Sequence, residues 1–536
     1  MKPKYASLSP GKKRIAIIGG GWSGLYALKT TRADGHESLL FEKDDDIGGI
    51  WRYVEDRPGG VWQTVFAVSS KSYLHASDFP MPDSYPLFPH HTQIMAFLRS
   101  YVEHFQLRPH IRLNHLVKKL VKEDGTWLLT ASHSDGQDSG QDAGQNALAF
   151  DAVILCTGQA HSPAYPTEAM YAQFSGPTMH SHEYKHPLPE MHGRNILVVG
   201  GGESAADIAN EVSSVANKLY LSLRRGRWFL DRHTGARLPL DTRFSRRGRF
   251  LIGDYGGNFL GMAIFDAMTG LTLGRGGHGI EEWQPAESVL RSFVNKSREV
   301  LHRVITGQVI PRRRVRAIDS RRVWFDGCEE PADIDMIIYA TGFQQKYPFL
   351  PEANPKQAYK YVFDPADPTL AYAGTARPVF GSIPALAELQ ARWISAVFAG
   401  RCQLPSSEAM QKEIEKDHRR HSKLFPVDHA RLPNLVSHFE YADFIMKQLG
   451  IKPNLLKVFF TDNKRWRVLV SVPWTAFEAL LTDPEQGQGA YNRIYKVYAA
   501  KKSIKRRSLF KFMLVLFALA LISIAGLLVL ITVVLF

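Results

Sequence analysis

FSGPTMHSHEYKHPLPEMHGRNILVVGGGESAAD, residues 174–207, joins a short apolar run to a glycine turn and the start of a helix. Asn195 to Gly200 has strand length and is almost wholly aliphatic. The turn Gly200-Gly201-Gly202-Glu203-Ser204-Ala205 fits G-x-G-x-x-A, and the residues from Ala205 on have helical periodicity. A strand, a glycine turn and a helix in that order form a cradle for a pyrophosphate. The first glycine permits the tight turn, the second lets backbone approach the phosphates, and the helix N-terminus offers free N–H groups and positive potential.

A lone glycine turn is common, but here a second one precedes it. Arg14 to Gly19 reads as a strand, Gly19-Gly20-Gly21-Trp22-Ser23-Gly24 is a full G-x-G-x-x-G, and a helix and a second strand ending at Glu42 follow. An acid about 20 residues beyond the turn suits adenosine ribose hydroxyls. After the second turn the corresponding position is Leu223, followed by Arg224 and Arg225. Guanidiniums in place of a carboxylate favour a 2′-phosphate, so the first unit suits FAD and the second NADPH. The expected fold is α/β, two Rossmann-like dinucleotide-binding domains with the second inserted in the first, then a C-terminal helical region and a transmembrane helix.

The chain has 536 residues and only three cysteines, Cys156, Cys328 and Cys402, with no C-x-x-C. That spacing argues against a disulfide framework, a metal site and a dithiol redox pair. The net charge is +14, and much of the excess is basic residues at 501–511 directly before a run, 512–536, without a charged side chain. About 25 residues at 1.5 Å rise reach roughly 37 Å, enough to cross a bilayer core of about 30 Å with some tilt. The basic cluster should stay cytosolic and meet anionic lipid, so the charge needs no nucleic acid. This predicts a single-pass tail anchor with a cytosolic body.

The boundaries expected from these signals are 1–165 and 330–405 for the FAD domain, 166–329 for the NADPH domain, 406–507 for a mainly helical region and 508–536 for the anchor. Thr92 is placed as the N-cap of a helix over 92–105, and residues 111–158 as a meander whose tip, 134–146, is a polar low-complexity loop. Residues 315–328 read as a hairpin, and DMIIYATG (335–342) as a strand returning the chain to the FAD domain. Residues 245–282, rich in glycine and arginine, look like an insertion.

Phe174, Gly176, His180, Tyr184 and Lys185 fit F-x-G-x-x-x-H-x-x-x-Y-K, and with GGIW (48–51), SDFP (77–80), RRGRW (224–228), YATGF (339–343) and AELQARW (387–393) the chain resembles a flavin-containing monooxygenase of the membrane-bound, dimethylaniline N-oxide-forming type. The resemblance implies FAD contacts from Gly19, Gly20, Gly21, Trp22, Ser23, Gly24, Glu42, Ile50 and Trp51. It implies NADP contacts from Gly200, Gly202, Ser204, Ala205, Ala206, Asp207, Arg224 and Arg225, a domain-linking role for His180, and an endoplasmic reticulum location. One departure stands out. Family members carry T-N-x-S/P-K near the flavin, with the asparagine supporting the oxygenated cofactor, whereas this chain has Ala67-Val68-Ser69-Ser70-Lys71. Ser69, or Ser70, would have to take over, and Ser69 is the candidate catalytic residue.

The reaction so implied uses NADPH, FAD and O₂ to oxygenate an amine nitrogen or a sulfide sulfur through a C4a-hydroperoxyflavin. Such substrates need no protein acid–base pair. Baeyer–Villiger oxidation of ketones, an uncoupled NADPH oxidase releasing H₂O₂ (favoured by Val68), and a tail-anchored dinucleotide-binding protein without turnover are the alternatives. An oligomer is left open.

Overall fold

The structure, a computed structural model, describes residues 5–6, 11–133, 147–234, 238–241, 247, 279–429, 431–472 and 475–502. The expected anchor, 508–536, the loop tip 134–146 and most of the insertion 245–282 lie outside the described residues.

The first unit opens with β1 (Arg14–Ile18), α1 (Trp22–Ala33) and β2 (Glu37–Phe41). Helix α2 (His91–His104) leads to β3 (Ile111–Arg112), then to a meander of β4 (His115–Glu123), β5 (Thr126–His133) and β6 (Leu148–Phe150), and β7 (Ala152–Leu155) closes the segment. A short strand β8 (Ser162–Pro163) leaves this unit. The second unit holds β9 (Thr178–His180), β10 (Asn195–Val199), α3 (Glu203–Val212), β11 (Lys218–Ser222) and β12 (Val309–Arg312). It continues through the hairpin β13 (Val315–Asp319) and β14 (Arg322–Phe325) to β15 (Met336–Tyr339). The chain returns by β16 (Phe343–Gln344) to β17 (Leu370–Tyr372) and α4 (Ile383–Phe398).

Two five-stranded parallel sheets result, ordered β17-β7-β1-β2-β3 and β9-β15-β10-β11-β12. Their central strands, RIAII and NILVV, are near-continuous aliphatic runs because both sheet faces are covered. In the first unit α1, α2 and α4 cover one face and the meander the other. The second repeats the plan, with α3 on one face and the β13–β14 hairpin on the other. Strand β15 pairs with β9 and β10, so the DMIIYATG strand belongs to the second sheet. The boundary expected at 329/330 is therefore too early by sheet membership. The chain crosses back only after Gly342.

Helix α2 is capped by His90, not Thr92. The His90 imidazole accepts the Thr92 N–H at 3.4 Å while Gln93 Oε1 accepts the His90 N–H at 3.0 Å. A histidine followed three residues later by glutamine satisfies both free donors reciprocally, which a search for Ser, Thr, Asp or Asn overlooks.

After α4 come α5 (Ser407–Leu424), α6 (His438–Gln448), α7 (Leu455–Thr461), α8 (Asn463–Ser471) and α9 (Gly487–Lys502). Met410, Ile414, Phe439 and Ile445 join the first core, so α5 and α6 cover the first unit. Among the described residues no helix is long and apolar enough to cross a membrane.

Candidate functional site

Both glycine turns open at one junction. Each sits at the carboxyl end of its sheet, after β1 and after β10, and the two crossings leave from the same ends, after β7 and after β15. The crossings hydrogen-bond to each other, β8 antiparallel to β16 through Phe343↔Pro163 and Gln344↔Ser162. Crevices at the carboxyl ends of parallel strands are where such sheets bind ligands.

At the first turn, the buried Glu42 aims its carboxylate at the backbone. Oε2 accepts the Gly20 N–H at 2.5 Å and Oε1 the Asp44 N–H at 3.0 Å. Burial raises its pKa above the usual carboxylate range. Each oxygen retains a lone pair for a ribose hydroxyl. A Cβ on Gly20 would stand 2.9 Å from that carboxylate, so only glycine fits. Gly48 donates to the Gly20 carbonyl at 2.9 Å, which seats the GGIW turn on the cradle, with Gly48 at φ 115° and Gly49 at φ 55°. Trp51 lies half-buried and edge-on to the buried Trp22, ring centroids 6.3 Å apart, while Ile50 is half exposed. Ser23 packs against Gly374, at the end of β17, where a Cβ would collide with its hydroxyl. Helix α1 begins without a side-chain cap, leaving its first N–H groups for an anion.

At the second turn a Cβ on Gly200 would meet the Ala340 carbonyl carbon at 2.8 Å, whereas one on Gly202 meets nothing within 4 Å. The turn is tight below and open above, the shape a pyrophosphate needs. Ala205 and Ala206 face the second core, and Ser204 stays half-exposed. Asp207 is tied down by Arg232, at 3.2 Å, and by the Ser297 hydroxyl. Burial pushes its pKa up to about 6. Its carboxylate thus fastens α3 to the 295–298 segment.

Beyond the turn, Arg224 and Arg225 are exposed, and Arg225 donates to the Val427 carbonyl at 2.9 Å. Three further arginines gather here. Arg227 lies 3.3 Å from where a Gly201 Cβ would stand and pairs with the buried Asp428 at 3.0 Å. The pKa of Arg377 is lowered by burial, against the opposing charge of Glu203 at the start of α3. Arg431 keeps an exposed surface, yet partial desolvation and then the charges of Arg227, Arg377 and Arg224, against that of Asp428, lower its pKa to about 10. Five guanidiniums face chiefly Asp428 and Glu203, so the site carries a surplus of positive charge that fits a phosphorylated ribose. Sequence reasoning named Arg224 and Arg225. It did not name Arg377 and Arg431, which come from segments remote in the chain.

The fingerprint residues clamp the two units. Tyr184 donates to Glu211 Oε2 at 2.9 Å, and Glu211 Oε1 takes the Trp62 indole N–H at 3.0 Å and the Thr64 hydroxyl. Lys185 donates to the Gly59 carbonyl at 2.5 Å, and Gly59 donates to the His182 carbonyl at 2.7 Å. These bonds carry the linkage that the sequence assigns to His180. His180 itself is fully buried against Tyr165 and Phe343, its pKa lowered to about 4 by burial.

Ser69 donates its hydroxyl hydrogen to the Gly381 carbonyl at 2.7 Å. Ser70 is fully buried, and its N–H reaches Asp241 Oδ2 at 2.6 Å. Its own hydroxyl has no partner among the described residues. The hydroxyl left available in this segment is therefore that of Ser70.

The profile of flavin-binding monooxygenase-like proteins matches residues 12–536. The chain is 33% identical over 501 residues to flavin-containing monooxygenase 5 of Rattus norvegicus, covering 90% of this chain and 91% of that one. It is 32% identical over 518 residues to dimethylaniline monooxygenase [N-oxide-forming] 2 of Oryctolagus cuniculus, covering 93% and 94%. Among solved structures, the S-allyl-L-cysteine S-oxygenase of Allium sativum superposes with a TM-score of 0.61 at 19% identity, over 92% of this chain and all of that one. OTEMO in complex with FAD and NADP gives 0.61 at 16% identity, over 82% and 98%. The chain belongs to the flavin-containing monooxygenase family and is an FAD- and NADPH-dependent monooxygenase.

Proposed function

We propose that the enzyme oxygenates soft nucleophiles, an amine nitrogen or a sulfide sulfur, at the junction of its two units. The observation that carries this reading is that both glycine cradles lie at the sheet ends whose crossings pair with each other, with Glu42 at the first and the arginine cluster at the second. When bound, the cofactors supply hydride transfer and oxygen activation. The protein supplies placement. Glu42 holds ribose hydroxyls, Arg224, Arg225 and Arg227 hold a 2′-phosphate, and the Tyr184–Glu211–Trp62 clamp keeps the units in register. The buried Ser70 hydroxyl offers a hydrogen bond in a water-poor segment, in place of the family's asparagine. The name of the rabbit relative, N-oxide-forming, and that of the Allium sativum S-oxygenase favour nitrogen and sulfur.

The test is turnover under ¹⁸O₂ with a tertiary amine, a thioether and a cyclic ketone. One labelled oxygen in an N-oxide or S-oxide supports the reading, while ester as the main product would replace it with Baeyer–Villiger chemistry. Val68 favours a second reading, an uncoupled NADPH oxidase. That reading wins if H₂O₂ equals the NADPH consumed whatever substrate is present. We further infer that residues 508–536 anchor the enzyme in a membrane, the endoplasmic reticulum by family analogy, with the body cytosolic. The charge-free run 512–536 and the basic cluster before it support this.

A further inference from the structure

Exposed large apolar side chains are scattered singly over the described residues, with one exception. Leu456, Phe459 and Phe460 crowd onto α7, exposed by 70%, 39% and 77%. They occupy positions i, i+3 and i+4, so they share one helix face. The other face is committed, because Leu455 and Val458 pack against a core of Val468, Leu469, Phe477 and Ile494 contributed by α8, the 476–480 turn and α9. Phe459 is further braced edge-on by Trp466 at 5.0 Å. The outward face is thus held on a packed support and is not a frayed end.

Its surroundings are cationic. Between residues 452 and 467 stand Lys452, Lys457, Lys464, Arg465 and Arg467 against a single acid, Asp462. Lys452, Lys457, Lys464 and Arg467 are exposed. Lys452 pairs with Asp443 at 3.0 Å, while Lys464 and Arg465 lie over Tyr495 and Tyr491. An apolar ridge on a segment this rich in cations has the chemistry of a surface that dips into the head-group layer of an anionic bilayer. A protein partner with an acidic rim would satisfy the charges equally well, but the chain path selects the lipid. Helix α9, which shares its core with α7, runs to Lys502, inside the basic cluster that precedes the charge-free run 512–536.

We propose that the α7 face is a second membrane contact, with Leu456 and Phe460 inserted among anionic lipid head groups. It fixes how the body lies on the bilayer, which one point of attachment alone cannot do. The inference rests on the reading of residues 508–536 as an anchor, and the test keeps the two apart.

Full-length holoenzyme with Cys328 and Cys402 replaced by serine is labelled with an environment-sensitive fluorophore at F460C, at S523C in the apolar run, or at I305C, exposed on the second unit. Each is reconstituted into vesicles of phosphatidylcholine with one quarter phosphatidylserine, and NADPH oxidation confirms that the labelled enzyme is folded. The expected result is a blue-shifted F460C label whose quenching by aqueous iodide falls at least threefold and whose quenching by brominated lipid rises. I305C should remain aqueous. An F460C label open to iodide while S523C is inserted overturns the second contact and leaves the anchor standing. Protection at F460C with S523C aqueous supports the α7 face and removes the anchor. Both labels aqueous, or I305C protected as strongly as F460C, overturns the inference.

Discussion

Replacing Gly24 by alanine is the sharpest test of how the first cradle is built. The added methyl carbon would stand 3.1 Å from the Gly19 carbonyl carbon, nearer still to its oxygen, and 3.3 Å from Leu40 Cδ1. Leu40 can turn aside, but the Gly19 carbonyl is backbone at the end of β1, so α1 itself must move. Overpacking of this kind costs about 1–3 kcal/mol, and a rigid backbone neighbour puts it near the upper end. Alanine returns about 0.5–1 kcal/mol as a better helix former than glycine. The net cost is about 2 kcal/mol, or roughly 4–8 °C in melting temperature for a unit of this size. Because the shift falls at the mouth of α1, FAD content should drop with it. The assay is flavin absorbance per polypeptide together with a melt followed by flavin fluorescence. The second cradle supplies the control. Its corresponding residue is already alanine, Ala205, and Ala205→Gly should cost the helix term of about 0.5–1 kcal/mol plus about 0.8 kcal/mol for the buried methyl, with no overpacking term. A Gly24→Ala enzyme with full flavin and a melting temperature within 1 °C of the parent would refute the close-packing argument.

Arg224→Gln removes an exposed guanidinium, so the melting temperature should hold. The Michaelis constant for NADPH should rise about tenfold, corresponding to roughly 1.5 kcal/mol of charge-assisted hydrogen bonding. An equal rise for NADH would show that Arg224 does not read the 2′-phosphate. Ser70→Ala should raise the share of NADPH lost as H₂O₂ severalfold in a peroxide assay, while Ser69→Ala, whose hydroxyl serves Gly381, should chiefly lower thermal stability. The reverse ranking restores Ser69 to the catalytic position. Burial lowers His75, His180 and His421 to about 4 and His438 to about 3. The unfolded chain binds protons at these sites from pH 6.5 downward and the folded chain does not, so stability should fall as pH drops from 6.5 towards 4. Each pKa unit corresponds to about 1.4 kcal/mol. Melting temperatures that stay flat between pH 7.5 and 5 would contradict this.

The two cradles were legible because their physics is local. A buried parallel strand must be aliphatic, a turn against phosphate must be glycine, and both are contiguous in the chain. Arg224 and Arg225 were legible by comparison with Glu42. The other arginines beside them were not, since Arg377 and Arg431 arrive from distant segments with no local pattern. His180 carried the linkage in the sequence reading because it sits inside the fingerprint. In the structure the bonds that cross between the units are those of Lys185 to Gly59 and of Glu211, held by Tyr184, to Trp62 and Thr64. Strand β15 ends in a small-residue turn just as β7 does, and only its pairing with β9 and β10 reveals its sheet.

The strands that enter and leave the second unit run side by side, Ser162–Pro163 against Phe343–Gln344. A module whose two ends meet in this way resembles a cassette. Its host closes over almost no gap, so the entropy lost in accommodating it is small whatever its length. The nicotinamide half could be exchanged for that of a distant homologue by two cuts at this seam. The graft would arrive already oriented, because the splice is itself a pair of hydrogen-bonded strands.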